Sequence, residues 1–289
     1  MKSLLAVTLV LFSLSVNAQE TAIQGTLEWE RMEFNATVSI NLQRAGIRLP
    51  AGRSQAEAML ENEFSEEIRP FIVEIQADSS STVADLINRG ELSTAAFMGK
   101  VRSLPPALSP DQTSIFARYS IALTGISAEL IRHSRPQSIS APLIPVPARN
   151  YTGIIIIADE ALPVHGRSES ALALPCLFPK IWDSEMNLIY ERNMIDPSLG
   201  RQAGMVRYVS RENIMRSAPS SMDQDLINRV GENPLQIMAR GLFGIVPTDP
   251  IIDREDALLI LSSEHNRQLL MEGRVALVLN RQELRRNIP

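Results

Sequence analysis

Cysteine is almost absent: Cys176 is the single thiol in 289 residues. One thiol cannot close an intramolecular disulfide, and it excludes every multi-cysteine metal framework. Histidine is nearly as scarce. His133, His165 and His265 lie far apart in the chain, and none has a second ligand at the spacing of a recognised metal site. Aromatics make up only 5% of the residues and do not cluster with basic ones, which leaves little stacking surface for single-stranded nucleic acid. Positive charge is in deficit, 28 Lys and Arg against 33 Asp and Glu, for a formal net charge of −5. That balance opposes broad attraction to nucleic acid or to anionic membranes. There is no G-x-S-x-G elbow, no H-E-x-x-H and no G-x-x-x-x-G-K-[ST] loop, so the commonest hydrolase and nucleotide-binding signatures are missing.

The first 20 residues are MKSLLAVTLVLFSLSVNAQE. Lys2 provides a positive start, the apolar run from Leu4 to Val16 follows, and Val16-Asn17-Ala18 is a small-residue cleavage site. A run this short falls below the ~20 residues a spanning helix needs, so residues 1–18 read as a signal peptide cleaved after Ala18. The expectation is an exported, periplasmic, soluble protein. No cysteine follows the apolar run to carry a lipid anchor, and no later stretch is long enough for an integral span. Loss of Lys2 makes the mature chain one unit more acidic.

At 45% hydrophobic and 21% charged, the remaining chain has an ordinary globular composition, enough for two domains of common size. Phe34, Ala36, Val38, Ile40 and Leu42 alternate, which predicts one face of a strand. Ser54-Gln55-Ala56-Glu57 has the form of a capping box, and Ala56, Met59, Leu60 and Phe64 predict a helix over 54–66. Ile68–Ala77 is expected to be a strand, Ser81–Arg89 and Leu92–Ser103 short helices, and Ile115–Thr124 a strand. Arg135–Ala148 holds Pro136, Pro142, Pro145 and Pro147, which keep it extended. It reads as an interdomain linker in preference to a surface loop.

Beyond it, Ile154–Ile157 suits a strand buried on both faces. Pro175–Trp182 and Leu188–Arg192 resemble hairpin arms, Met205–Val209 a strand, Met222–Val230 a helix stopped by Gly231, and Leu235–Leu242 a strand. A helix capped by Asp253 and a second one to Met271 precede a last strand, Val275–Leu279. Phe178, Ile181 and Trp182 are expected to lie largely in the core or an interface, and Gly231 with Asn233-Pro234 in an ordered turn, Gly231 at positive φ. Elements in this order predict an α+β fold. It would have two mixed strand/helix halves: an N-terminal domain over 19–134, a linker over 135–149 and a C-terminal domain over 150–289.

Candidate chemistry is thin. Asp159 and Glu160 end a strand beside a loop, and His165 follows closely. A hydrolase built on these three is the weakest of three readings, because adjacent residues on an extended chain point to opposite faces. Cys176, between Pro175 and Leu177, reads as a buried inert thiol. Arg281, Arg285 and Arg286 read as a solvated basic end. No residue is assigned a catalytic, cofactor-binding or metal-ligating role, and no cofactor is expected.

The second half carries a resemblance. Tyr151-Thr152-Gly153 before the Ile strand, Leu177-Phe178-Pro179-Lys180-Ile181-Trp182-Asp183, Leu188-Ile189-Tyr190, Arg229-Val230-Gly231-Glu232-Asn233-Pro234-Leu235, Thr248-Asp249-Pro250-Ile251-Ile252 and Gly273-Arg274-Val275 follow in order. Over roughly residues 150–280 this pattern resembles exported bacterial envelope proteins related to the FlgP/FlgT-type flagellar assembly and small outer-membrane lipoprotein group. The upstream half, with Leu49-Pro50-Ala51-Gly52-Arg53-Ser54, is similar to spirochaete-type relatives. The usual aspartate-alanine-arginine-glycine is replaced here by Ala158-Asp159-Glu160-Ala161. The resemblance implies a non-enzymatic periplasmic scaffold or assembly protein of the flagellar apparatus or cell envelope, acting on other envelope or flagellar proteins or on itself. The alternative is a small-molecule or glycan binding module with a cleft between the halves.

Overall fold

A computed structural model describes residues 21–93, 95, 101–214 and 224–288. The expected signal peptide and Met222 lie outside the described residues, as does half of the expected helix over 92–103, residues 94 and 96–100; the end of that stretch is not helical but pairs as the strand Arg102–Ser103. The fold is α+β, with helices and strands in both halves. None of the described helices is long and apolar enough to cross a membrane.

The first half is an antiparallel sheet with one long helix on it. Strands Thr21–Glu28, Glu33–Asn41 and Ser114–Ala122 lie side by side, with short pieces Arg102–Ser103 and Ala107–Leu108 at one edge. Phe34, Ala36, Val38, Ile40 and Leu42 are all buried, as their alternation requires. The helix runs Arg53–Val73 and absorbs most of the expected strand over 68–77. The reason is in the spacing: Ala56, Leu60, Phe64, Ile68 and Ile72 recur every fourth residue, and all five are buried. Pro70 sits on the exposed side of that helix, where losing its N–H costs least. The Ser54 capping box does not form; the cap position falls at Gly52, which offers no side-chain cap. The capping box is instead at Thr82 and Asp85, opening the helix Val83–Asn88.

The second half contains a four-stranded parallel sheet in the order Arg207–Ser210, Val275–Leu279, Ile154–Ala158, Leu235–Met238. Ile155, Val209, Ala276 and Val278 face helix Gln224–Val230, while Ile154, Ile156, Val275 and Leu277 face the main core. The Ile run is therefore covered on both sides. A second, mixed sheet orders Leu188–Tyr190, Ile181–Asp183, Asp249–Ile252 and Gly241–Phe243. The expected single strand over 235–242 is two strands, broken at Ala239 and Arg240, that serve different sheets. Phe178 and Ile181 are buried; Trp182 is half-buried with its ring edge-on to Phe243.

The motif residues of the resemblance form two structural joints. Thr152 Oγ1 donates to the Val230 carbonyl and accepts from the Asn233 N–H, while Gly231 turns the chain at φ 74°. A Cβ on Gly231 would lie 2.5 Å from Thr152 Cβ, and one on Gly153 2.4 Å from the Val230 carbonyl oxygen. The other joint centres on Asp249, described below.

The halves are not separate bodies. After helix Arg281–Leu284, the chain ends in strand Arg285–Ile288, which pairs antiparallel with Thr21–Glu28 and forms the outer strand of the first sheet. Leu284 is buried, and its carbonyl accepts from the Trp29 N–H at 2.9 Å. Gln76 and Ala77 carbonyls accept from Leu177 and Phe178, and Ser79 from Val246. The Glu30 carboxylate accepts from Ser210 N–H and the Asn213 amide, both at 2.8 Å. One hydrophobic cluster runs through both halves. The proline segment, residues 135–149, carries no helix or strand and lies along the second half. Gln137 N–H donates to the Asn193 carbonyl and Val146 N–H to Ser262 Oγ.

Deleting residues 285–289 removes the ladder between the last strand and the first, and with it at least ~2 kcal/mol of stability. Gly231→Ala forces a left-handed φ and a steric overlap, and is expected to cost ~1–3 kcal/mol. Urea denaturation checks both; an unchanged midpoint for the truncation would contradict the role given to the last strand.

Candidate functional site

The C-terminal ends of the parallel strands are where open α/β sheets usually bind ligands. Here they form a broad depression of about 770 Å³ lined by Asp159, Ser210, Arg211, Leu279, Asn280 and Arg281, among others. Strand 154–158 delivers Asp159, strand 207–210 delivers Ser210 and Arg211, and strand 275–279 delivers Asn280. Asp159 is held by Arg211 through two hydrogen bonds, one of them at 2.7 Å from Nη2 to Oδ1. Asn280 Nδ2 donates to the Asp159 carbonyl at 3.3 Å, and Asn280 Oδ1 accepts from Gln282 N–H to start the next helix. Arg281 pairs with Glu212 at 2.7 Å. The guanidinium of Arg211 is held more firmly protonated by the hydrogen bonds and charge of Asp159. The depression therefore carries charged and polar side chains that are close to charge-balanced, with its cations already engaged.

The three residues singled out for hydrolysis separate. Asp159 is committed to Arg211, and Glu160 is 78% exposed with Arg211 at 3.9 Å. His165 belongs to the mixed-sheet side: its N–H donates to the Leu242 carbonyl and its ring lies 5.9 Å from that of Phe243. No hydrogen bond among the described residues joins His165 to either acid. His133 Nε2 lies 2.8 Å from the Ile195 carbonyl, and His265 Nε2 the same distance from the Tyr151 carbonyl. Among the described residues, no three His, Cys, Asp or Glu side chains gather as metal ligands would. Cys176 is fully buried, and burial together with the nearby Asp249 pushes its thiol pKa far up. Its backbone is clamped by Tyr208, whose hydroxyl donates to the Cys176 carbonyl at 2.8 Å and accepts from its N–H at 3.0 Å.

Two aspartates that the sequence offers only as members of the motif segments are buried. Asp183 is fully buried at the hairpin turn. Its carboxylate accepts from Glu185 N–H, Asn187 N–H, the Asn187 amide and Arg254 at 2.5 Å. Burial pushes its pKa up, but the bonds from Asn187, Arg254 and Glu185 outweigh that, and the net direction is down. Asp249, from the mixed sheet, is also fully buried; Oδ1 accepts from Lys180 N–H at 3.1 Å and Thr248 Oγ1 at 2.8 Å. Oδ2 and the Trp182 Nε1–H are buried without a hydrogen-bond partner. For Asp249 burial prevails over the Lys180, Thr248, Ser79 and Trp182 dipoles, so its pKa is raised. These acids bind the second half's motifs to one another.

A second recess lies where the halves meet. It is a groove of about 320 Å³ whose floor includes Leu27, Trp29, Phe71, Ile75, Leu174 and Pro175, with Glu74, Glu283, Arg285 and Arg286 at its rim.

Opposite pH responses follow. A lowered pKa means Asp183 stabilises the fold above the ordinary aspartate range and loses that contribution as pH falls through its folded value. Asp183→Ala is expected to cost about 3 kcal/mol at neutral pH and progressively less in acid. A raised pKa means Asp249 favours the fold at low pH and loses that as pH rises through its folded value. Asp249→Asn should therefore gain stability relative to the native protein between pH 4 and 7. Urea midpoints compared across pH values below the ordinary aspartate range for Asp183→Ala, and above it for Asp249→Asn, check each sign.

Residues 20–129 match a family model described as Treponema pallidum Tp0624, N-terminal domain, and residues 153–281 match one described as Treponema pallidum Tp0624, second domain. The chain is thus similar to two domains of that spirochaete protein, in the same order, over most of its length. No curated protein matches it. These matches agree with the spirochaete-type likeness and show no link to FlgP/FlgT-type proteins. The proline segment falls between the two matches, and the closing strand 285–288 falls beyond the second.

Proposed function

We propose that the protein is a non-enzymatic periplasmic scaffold or assembly protein of the cell envelope, with the flagellar apparatus as one setting. The observation that carries this reading is mechanical. Two halves share one core, one closing strand and an acid-anchored junction, a build suited to holding surfaces at fixed separation rather than to opening and closing on a substrate. The FlgP/FlgT-type resemblance of the motif order points the same way. The engagement of Asp159 by Arg211, with His165 elsewhere, weighs against hydrolysis at that strand end. Export after cleavage at Ala18 is part of the proposal. Deleting the gene is expected to disturb motility, envelope integrity or cell shape; a mutant normal in all three would count heavily against it.

A second reading is favoured by one specific feature, the depression at the parallel strand ends. A small polar ligand or glycan would meet Ser210, Arg211, Asn280 and Arg281 there. Binding of such a ligand raises the melting temperature, and Arg211→Ala should abolish the rise. A melting temperature unmoved across metabolites and cell-wall fragments removes this second reading.

A further inference from the structure

The two large apolar side chains most exposed among the described residues are neighbours: Leu143, fully exposed, and Ile144, 81% exposed. They stand between Pro142 and Pro145 in a segment without helix or strand. Pro136, Pro142, Pro145 and Pro147 restrict that segment in the free state, and the bonds to Asn193 and Ser262 tie it down on either side. Presenting it to a partner therefore costs little conformational entropy. Its charge is equally distinctive. No Asp or Glu occurs between Glu129 and Asp159 in an otherwise acidic chain, and Arg135 and Arg149 flank the exposed pair. Such extended, proline-bracketed apolar segments dock into grooves lined by aromatics.

The protein has such a groove. Trp29, Phe71 and Pro175 line the recess between the halves with Leu27 and Ile75. On its rim Arg286 pairs with Glu74 at 3.7 Å, and Arg285 with Glu28 at 3.8 Å. Glu283 carries no ion pair among the described residues, so the rim offers one uncommitted negative charge to an arriving arginine.

We propose that the groove of one copy receives the Leu143–Ile144 segment of a second copy, with Glu283 meeting Arg135 or Arg149 of that copy. Segment and groove are different surfaces, so the contact is heterologous: it closes only as a ring and otherwise extends as a chain. A segment this short buries less than the ~1,000 Å² of a stable interface, so each junction is weak and assembly depends on concentration. This inference goes beyond the envelope reading and stands or falls separately from it, because the deletion phenotype tests that reading and self-association tests this one.

Sedimentation of the protein lacking residues 1–18, in a series rising to about 1 mM, is the test. The mass-average is expected to climb with concentration past the dimer. A segment variant, Leu143→Asp with Ile144→Asp, alters only exposed side chains. A groove variant, Gln282→Trp with Glu283→Arg, obstructs the recess from its exposed rim and reverses its free charge. Each alone should remain monomeric with a near-native melting temperature. Mixed in equal amounts they retain one intact segment and one intact groove, and should form a dimer that grows no further. A native protein that stays monomeric throughout overturns the proposal. So does assembly that persists in both variants, or a mixture that fails to dimerise while the native chain assembles.

Discussion

The closing of the first sheet by the last four-residue strand governs the rest of the molecule. Arg285–Ile288 lies on Thr21–Glu28, more than 250 positions away in the chain. The ion pairs around it, Arg285 with Glu28 and Arg286 with Glu74, are long and largely exposed. Pairs of that kind contribute at most ~1 kcal/mol each, so they cannot be what holds the join. The ladder hydrogen bonds and the buried Leu284 hold it. With that strand in place, Trp29 is carried against Tyr208, their rings 5.6 Å apart and edge to face. The first hairpin is then positioned to place Glu30 on Ser210 and Asn213.

Around this join the polar groups follow a consistent logic. Where an acid is buried, neighbouring groups either satisfy it, as four donors do for Asp183, or leave it with a raised pKa, as at Asp249. The first acid fixes a tight turn and the start of helix Arg254–Leu261; the second ties strand Asp249–Ile252 to the segment before strand Ile181–Asp183. Glycine does comparable work at the other joint, where Gly153 and Gly231 permit backbone approaches that no side chain would allow. The motif order that marks the second half is thus a set of construction points.

Much of this was legible in the chain. Alternation identified the Phe34 face, the Ile run identified a doubly covered strand, and Gly231 declared a left-handed turn. The failures share a cause. Ile68 and Ile72 read as strand because a window starting at Ile68 hides their four-residue spacing from Phe64, Leu60 and Ala56. Leu235–Leu242 read as one strand because an apolar run does not reveal that the chain changes sheets at Ala239. Ser54 and Glu57 had capping-box spacing, but the cap position falls two residues earlier, at Gly52, and leaves no role for the serine. Nothing in RRNI announces a strand partner, since pairing across so great a separation leaves no local period. The Asp159–Glu160–His165 grouping came from sequence proximity, which the turn into the loop undoes. For Asp183 and Asp249 the available signal was weak: each sits beside a β-branched or aromatic run whose burial takes the acid with it.

That the two halves are one cooperative body is the central claim, and the two tryptophans can test it directly, since Trp29 reports on the junction with the first half and Trp182 on the interior of the second. Urea unfolding would be followed by fluorescence in Trp29→Phe and Trp182→Phe variants, each compared with its own circular dichroism. Fluorescence and circular dichroism transitions that coincide within each variant are what a shared core and shared sheet predict. A fluorescence transition at one tryptophan well separated from the loss of secondary structure would mean that the halves unfold independently, and would contradict the account.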